Sequence, residues 1–298
     1  MKWIGLLIIG LHTFCARPPE VDSHVAEIAR EAQQLKAEIA ETEECKSGCI
    51  FLSAWDFDGT ILKGDMAEGL KEGERVVYPG LQQLAVDQGW SRTYRPGSFQ
   101  KFLADRSVIE EKEGHLAALS MGLKIFRGVP VMRLESLASS HFEKVLSRYY
   151  FRSSISILEN TKKAGIVPCI LSASPHVFAR SAAATVGVPR ENIYAMETEI
   201  VRGFMTDKIV EPVPYAKGKA QRLEMIVENL QKTTGRRVFV VAAFGNSFRS
   251  DSYFLKWTLD QKLPRGHALA VMINGGPDAG EFRGLFREVS QIATVSGR

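Results

Sequence analysis

The 298-residue chain is short of the features that would assign it at a glance. It has no block of like charge, and its net charge is only +4. Its Lys and Arg residues form no stripe interleaved with aromatics, so no nucleic-acid partner is expected. It has four cysteines and six dispersed histidines, and no His/Cys set has the spacing of a zinc site. No apolar run reaches the ~20 residues needed to cross a bilayer. There is no internal repeat and no low-complexity tract. What is present, 45% hydrophobic and 24% charged residues, is the composition of a soluble globular protein. The length suits one large domain, or one core carrying an inserted domain.

The first residues differ from the rest. Lys2 precedes the apolar run "WIGLLIIGL", and "HTFCARPPE" follows. A positive start, a short apolar stretch and a small-residue region read as a signal peptide over residues 1–16. An exported protein, periplasmic or held at the cell envelope, is the expectation. Cys15 resembles the lipidation site of bacterial lipoproteins, although Phe14 departs from the small residue preferred before it. Lipidation at Cys15 and plain cleavage near Ala16 both stand as readings, and the lipid anchor is the one membrane contact expected. Cys45 and Cys49 are close enough in sequence to bridge, which export would permit. Cys169 lies in an apolar run and reads as a small core residue.

Residues 17–49 form an N-terminal helix and linker. Within 21–44, Val25, Ile28, Leu35 and Ile39 fall on one side at helical spacing, as in a helix packed on a domain or a stalk from an anchor. Short apolar runs then alternate with helical patterns such as "SPHVFARSAAATVG". "CIFLSAW", "GIVPCIL", "NIYAM", "RVFVVAAF" and "HALAVMI" are strand candidates, and "TEIVRGFMTDKIV" reads as a hairpin around Gly203. The alternation predicts an α/β fold with a Rossmann-like, doubly wound parallel sheet. Residues 66–156 hold helical patterns far longer than one crossover needs. They read as an inserted helical domain, leaving 50–65 and 157–298 as the core.

Chemistry in such a sheet sits at the carboxyl ends of the strands. The first strand ends in Asp56, Asp58 and Thr60. The second ends in Ser172 and Ser174, and the fourth in Gly245, Asn246 and Ser247, with Asp251 beyond. Lys217 and Lys219 open a helix after the hairpin. Two carboxylates one residue apart repel unless a cation or donors neutralise them. Mg²⁺, a lysine and backbone N–H groups would do so, and a phosphate needs the same surroundings. One Asp is then a nucleophile toward phosphorus, and the other an acid for the leaving oxygen and a base for water.

"DFDGT", "ILSAS", "KGK" and "GNSFRSD", in that order, resemble the four motifs of the haloacid dehalogenase (HAD) superfamily over about 50–273. The long insertion after the first motif resembles the type-one helical cap of its phosphoserine-phosphatase-like subfamily. The resemblance implies a Mg²⁺-dependent phosphatase acting on a small phosphorylated metabolite. Asp56 would be the nucleophile and a metal ligand. Asp58 would be the acid/base, with its backbone carbonyl on the metal. Gly59 would allow close backbone approach, and Thr60 would support the loop. Ser172 and the Ala173 N–H would bind phosphate. Lys219 would bridge Asp56 and phosphate, with Lys217 as the other register.

Asn246 stands where many members have Asp, so it would ligate without adding charge. Asp251 would ligate directly or through water. Asp65, where the cap begins, and Glu68 would favour a cationic head such as choline, ethanolamine or serine; the alternative for Asp65 is a helix N-terminal acid. Tyr78, Trp90, Tyr94 and Phe99 would cage a quaternary ammonium or simply fill the cap core. Two other functions fit the same residues: a catalytically degenerate binding module, favoured by Asn246, and a phosphotransferase to an alcohol.

Overall fold

The computed structural model describes residues 23–277 and 279–295. The signal peptide read from 1–16, with Cys15 and Ala16, lies outside the described residues. The chain opens with α1 (Ser23–Ala40), whose Val25, Ile28, Ala32, Leu35 and Ile39 are all buried. Spacing of three and four puts them on one face. The helix is a packed layer of the core, not a stalk: Arg287 near the far end of the chain holds its Glu27 (2.9 Å) and Glu31 (3.0 Å). Cys45 and Cys49 form a disulfide that closes the loop into β1 (Cys49–Trp55). Cys169 is a free, buried thiol.

An insertion follows β1. It holds a hairpin of β2 (Gly69–Glu72) and β3 (Arg75–Pro79), then α2 (Leu81–Asp87), α3 (Phe99–Glu113), α4 (His115–Lys124) and α5 (Val131–Lys144). The chain returns to the core through α6 (Arg152–Lys163) and β4 (Val167–Pro175). Short helices α7 (His176–Ala179) and α8 (Ala183–Val186) lead to β5 (Ile193–Met196). The hairpin of β6 (Thr198–Val201) and β7 (Phe204–Ile209) precedes α9 (Lys217–Thr234). Last come β8 (Arg237–Gly245), α10 (Phe248–Asp260), β9 (Leu269–Ile273) and β10 (Arg287–Val289).

Six of these strands make one parallel sheet in the order β10-β9-β8-β1-β4-β5. β1 is central because both its faces are apolar. Leu52 and Ala54 face the layer of α9 and α10, while Phe51 and Trp55 face the layer that includes α1. The chain winds from β1 to β4 and β5 on one side, then to β8, β9 and β10 on the other. The reversal falls beside β1, so the carboxyl ends of β1, β4 and β8 enclose one crevice.

Three local expectations change. The insertion is not purely helical, because Gly69 and Gly73, both at positive φ, shape a two-stranded hairpin. The boundary expected between 156 and 157 would cut α6, which is a single helix burying Ile157, Leu158 and Thr161 in the core. The helix read over "SPHVFARSAAATVG" is two short helices around a 3₁₀ turn, ended by Gly187 in the left-handed region. The edge strand β10 had no sequence signal beyond three residues.

Trp55 ends β1 fully buried, stacked on Phe244 of β8 at 3.8 Å, with its indole N–H donating to Ser53 Oγ at 3.0 Å. Trp55→Ala is predicted to lower unfolding stability by about 3–5 kcal/mol, measured by urea denaturation. An unchanged denaturation midpoint would contradict this packing.

Candidate active site

The first acidic residue extends the β1–β8 pairing by one bond: the Asp56 N–H donates to the Phe244 carbonyl at 2.8 Å. Phe57 turns the other way. It is fully buried, edge-on to Phe142 (5.9 Å) and Tyr150 (6.0 Å), so it anchors the loop in apolar packing. Asp56 and Asp58 are left on the crevice side. Gly59 follows at φ 77°, and a Cβ there would stand 1.9 Å from Asn246 Nδ2. Only glycine lets the first and fourth motifs meet.

Lys219 sits at the centre of the charges. It is 1% exposed, and its Nζ donates to Asp56 Oδ1 at 2.5 Å and to Asp251 Oδ1 at 2.6 Å. Lys217, two residues earlier, points about 200° away around the helix. It is exposed and lies over the Tyr253 ring at 5.6 Å. The lysine register is therefore that of Lys219. Asp251 accepts from the Asn246 and Ser247 N–H groups with its second oxygen, each at 2.9 Å. Both its oxygens are thus engaged, one by the lysine and one by the Asn246 loop.

Thr60 donates to Asp56 Oδ2 at 2.9 Å. Asp58 accepts from the Met66 N–H at 2.7 Å and from Ser174 Oγ at 2.6 Å. Ser172, 1% exposed, accepts the Ser174 N–H at 3.0 Å, and with Ala173 it lines the crevice. Asp65 uses Oδ1 to accept the Ala67 (2.7 Å) and Glu68 (2.8 Å) N–H groups. Its other oxygen has no hydrogen-bond partner among the described residues, and the residue lines the cleft. Glu68 is held by the buried Arg106 of α3 at 2.6 Å.

Burial pushes Asp56 up to about 6, aided by the charge of Asp251 and opposed by Lys219. Burial, then the charge of Asp65, raises Asp58 well above the carboxylate range. Asp65 is pushed up to about 7 by burial and by Glu68. Burial alone would lower Lys219, but the carboxylates of Asp251 and Asp56 outweigh it and raise its proton affinity. The local surplus is negative.

A small divalent cation fits one corner of the site. The Asn246 amide lies 3.1 Å from the Asp58 carbonyl and 3.1 Å from Asp56 Oδ2. With its nitrogen turned there it donates to both. With its oxygen there, it stands 3.1 Å from two other oxygens with no proton between. Oxygens on adjacent corners of a Mg²⁺ octahedron are about 3.0 Å apart. No group of three or more His, Cys, Asp or Glu side chains is arranged for a metal among the described residues. The donor set is one carboxylate, one backbone carbonyl and one amide.

These residues line a cleft of about 530 Å³ between the core and the insertion. Its mouth also carries groups to which the motifs assigned no role. His115 and Leu119 come from α4, and Tyr215, Phe248 and Arg249 from the core. The His115 and Tyr215 rings meet at 5.3 Å. Glu110 binds His115 at 2.7 Å and reaches Arg249 at 3.9 Å. The sequence hints to this group were that Phe248 and Arg249 stand within "GNSFRSD" and that Tyr215 is two residues before "KGK". The aromatic cage is not formed. Tyr78, Tyr94 and Phe99 are buried, Trp90 packs against the same core, and none lines this cleft.

A carboxylate whose proton affinity rises on folding stabilises the fold below its ordinary value. That stability is lost as pH rises through the folded value. For metal-free protein, Asp65→Asn is predicted to be neutral near pH 4 and stabilising by pH 8, because Asn keeps the acceptor for Ala67 and Glu68. Thermal unfolding in chelator across that range checks it, and a wild-type-to-variant difference that does not change with pH would refute it.

Against known proteins, the haloacid dehalogenase-like hydrolase family matches residues 54–256. No curated protein matches the chain. Among solved structures, a protein with unknown function from Bordetella pertussis Tohama I is 14% identical. It aligns over 81% of this chain and 98% of that one, with a TM-score of 0.61. A conserved functionally unknown protein from Anaerococcus prevotii DSM 20548 is 12% identical over 87% and 93%, with a TM-score of 0.55. Cytosolic 5′-nucleotidase IIIB bound to cytidine is 15% identical over 82% and 78%, with a TM-score of 0.53. At such identities the likeness is one of fold. With the family matched from the end of β1 into α10, around a crevice built from the same motifs, this chain belongs to the haloacid dehalogenase-like hydrolases.

Proposed function

We propose that the protein is a Mg²⁺-dependent phosphatase that hydrolyses a small phosphomonoester through an aspartyl-phosphate. The observation that carries this reading is the buried lysine at 2.5 Å from Asp56, with the Asn246 amide 3.1 Å from both Asp56 Oδ2 and the Asp58 carbonyl. Asp56, the Asp58 carbonyl and Asn246 would hold Mg²⁺, which supplies positive charge for the phosphoryl oxygens. Asn246 would contribute an oxygen without charge, so the site would hold the metal with one carboxylate fewer than a site with Asp at this position.

Asp56 attacks phosphorus with a carboxylate oxygen as the bond to the leaving oxygen breaks. Asp58, held by Ser174 and the Met66 N–H, gives that oxygen a proton. Its raised proton affinity suits this first role. A water then attacks the same phosphorus and passes a proton to Asp58. The bond to Asp56 breaks and phosphate leaves. Lys219 neutralises Asp56 and the charge that spreads over the phosphoryl oxygens. Ser172 and the Ala173 N–H hold those oxygens. Gly59 and Thr60 keep the loop in place. Asp251 is a positioning residue, acting through Lys219 and the Asn246 loop.

The substrate is read from the wall where the insertion begins. Glu68 is taken by Arg106, but one oxygen of Asp65 has no hydrogen-bond partner among the described residues. That acid favours a cationic head, as in phosphoethanolamine, phosphocholine or phosphoserine. Export is supported by the Cys45–Cys49 disulfide, a bond that oxidising compartments permit. Localisation at the envelope, with or without a lipid on Cys15, is part of the same proposal.

Wild type is expected to release phosphate from an aryl phosphate with Mg²⁺ and to stop with chelator. Asp56→Asn is expected to lower kcat by more than about 10³-fold. Phosphate release that ignores chelator, or survives in Asp56→Asn, would overturn the mechanism. A folded wild type inert on the aryl phosphate and the three cationic monoesters would favour a binding module.

A further inference from the structure

The turn that launches α9 holds a non-glycine residue in a conformation that glycine prefers. Ala216 has φ 49° and ψ −122°. This is the first central position of a type II′ turn, where a Cβ crowds the backbone. The turn closes with the Gly218 N–H donating to the Tyr215 carbonyl at 2.9 Å.

Strain of this kind persists only where the surroundings over-determine it, and here they do. The Tyr215 N–H donates to the Val213 carbonyl at 2.7 Å, and the Lys219 N–H to the Ala216 carbonyl at 3.0 Å. Gly218 presses on the same Val213 carbonyl so closely that a Cβ would stand 1.8 Å from its oxygen. Val213 itself is tied by its N–H to Glu211 at 2.9 Å, and Arg222 of α9 donates to the Pro212 carbonyl at 2.8 Å.

Tyr215, at one end of this turn, lines the cleft, and Lys219, just past the other end, is buried against the cleft's Asp56. On one side Tyr215 meets His115 of the insertion. On the other, three residues along, Lys219 bridges Asp56 and Asp251. Ala216 lies between them in the chain. Relaxing its φ and ψ would rotate the peptide planes on either side, and Tyr215 and Lys219 could not both stay where they are.

We propose that Ala216 is a positioning residue: its strained turn sets Lys219 against Asp56 and Tyr215 at the cleft mouth together. Alanine has few states at positive φ, so once held it defines one geometry. Glycine would relieve the strain but open several geometries. The kinetic half of this inference rests on the phosphatase reading, and the strain does not.

The test compares Ala216→Gly with wild type in the full chain. The variant is expected to melt about 2 °C higher without ligand and to bind inorganic phosphate about 5-fold more weakly, read as a smaller phosphate-induced shift in Tm. Its kcat on an aryl phosphate is expected to fall about 5-fold, with KM changed less than 2-fold, because an ångström of misplacement at the reacting group is costly. A Tm that is unchanged or lower overturns the strain. A higher Tm with unchanged phosphate binding and kcat overturns the positioning role. If wild type itself releases no phosphate, the phosphatase reading fails, and Tm and phosphate binding still decide the role of Ala216.

Discussion

A single buried ammonium holds the crevice together. Lys219 joins Asp56 at the end of β1 to Asp251 in the first turn of α10, so three elements that are remote in sequence share one charge network. Breaking one partner of such a set leaves an uncompensated buried charge, at a cost of about 3–5 kcal/mol. The network is also incomplete. Asp56, Asp58 and Asp251 outnumber the one lysine, and burial raises Asp56 to about 6. A divalent cation at the Asp56, Asp58 and Asn246 oxygens would remove that surplus, and a phosphoryl group brings oxygens that need the same field.

The sheet and the insertion divide the remaining work. Parallel strands ending beside β1 deliver hydroxyls, amides and acids to one edge. The insertion covers that edge and supplies Glu68, His115 and Leu119. Phe57 connects the two, because its ring lies in apolar packing with Phe142 and Tyr150 while its neighbours carry the chemistry. The mouth is bridged by side chains from both parts, Glu110 with Arg249 and His115 with Tyr215. The leaving group of a substrate in the cleft would lie among these residues.

Much of this was legible in the chain because burial on both faces writes a strand as a continuous apolar run. "CIFLSAW" matches β1 residue for residue, and the acids after it fall where the sheet ends. Lys219 was legible as one of two choices, since only helix phase separates it from Lys217. The contacts of Asp251 were not, because a carboxylate five residues from Asn246 can face either a metal or a lysine. The aromatics of the insertion were ambiguous for a similar reason: ring burial serves packing and cation binding alike, and here Tyr78, Tyr94 and Phe99 pack. Ala216 carries no signal, because nothing in an alanine announces a positive φ.

The most direct measurement is to trap the covalent intermediate. Wild type turning over an aryl phosphate with Mg²⁺ would be acid-quenched, reduced with borohydride and digested, and the reduced residue located by mass. An acyl phosphate on Asp56, converted to homoserine at that position alone, is the predicted result. Turnover with no reduced residue, or with reduction at Asp58 or Asp251, would contradict the assignment of Asp56 as nucleophile.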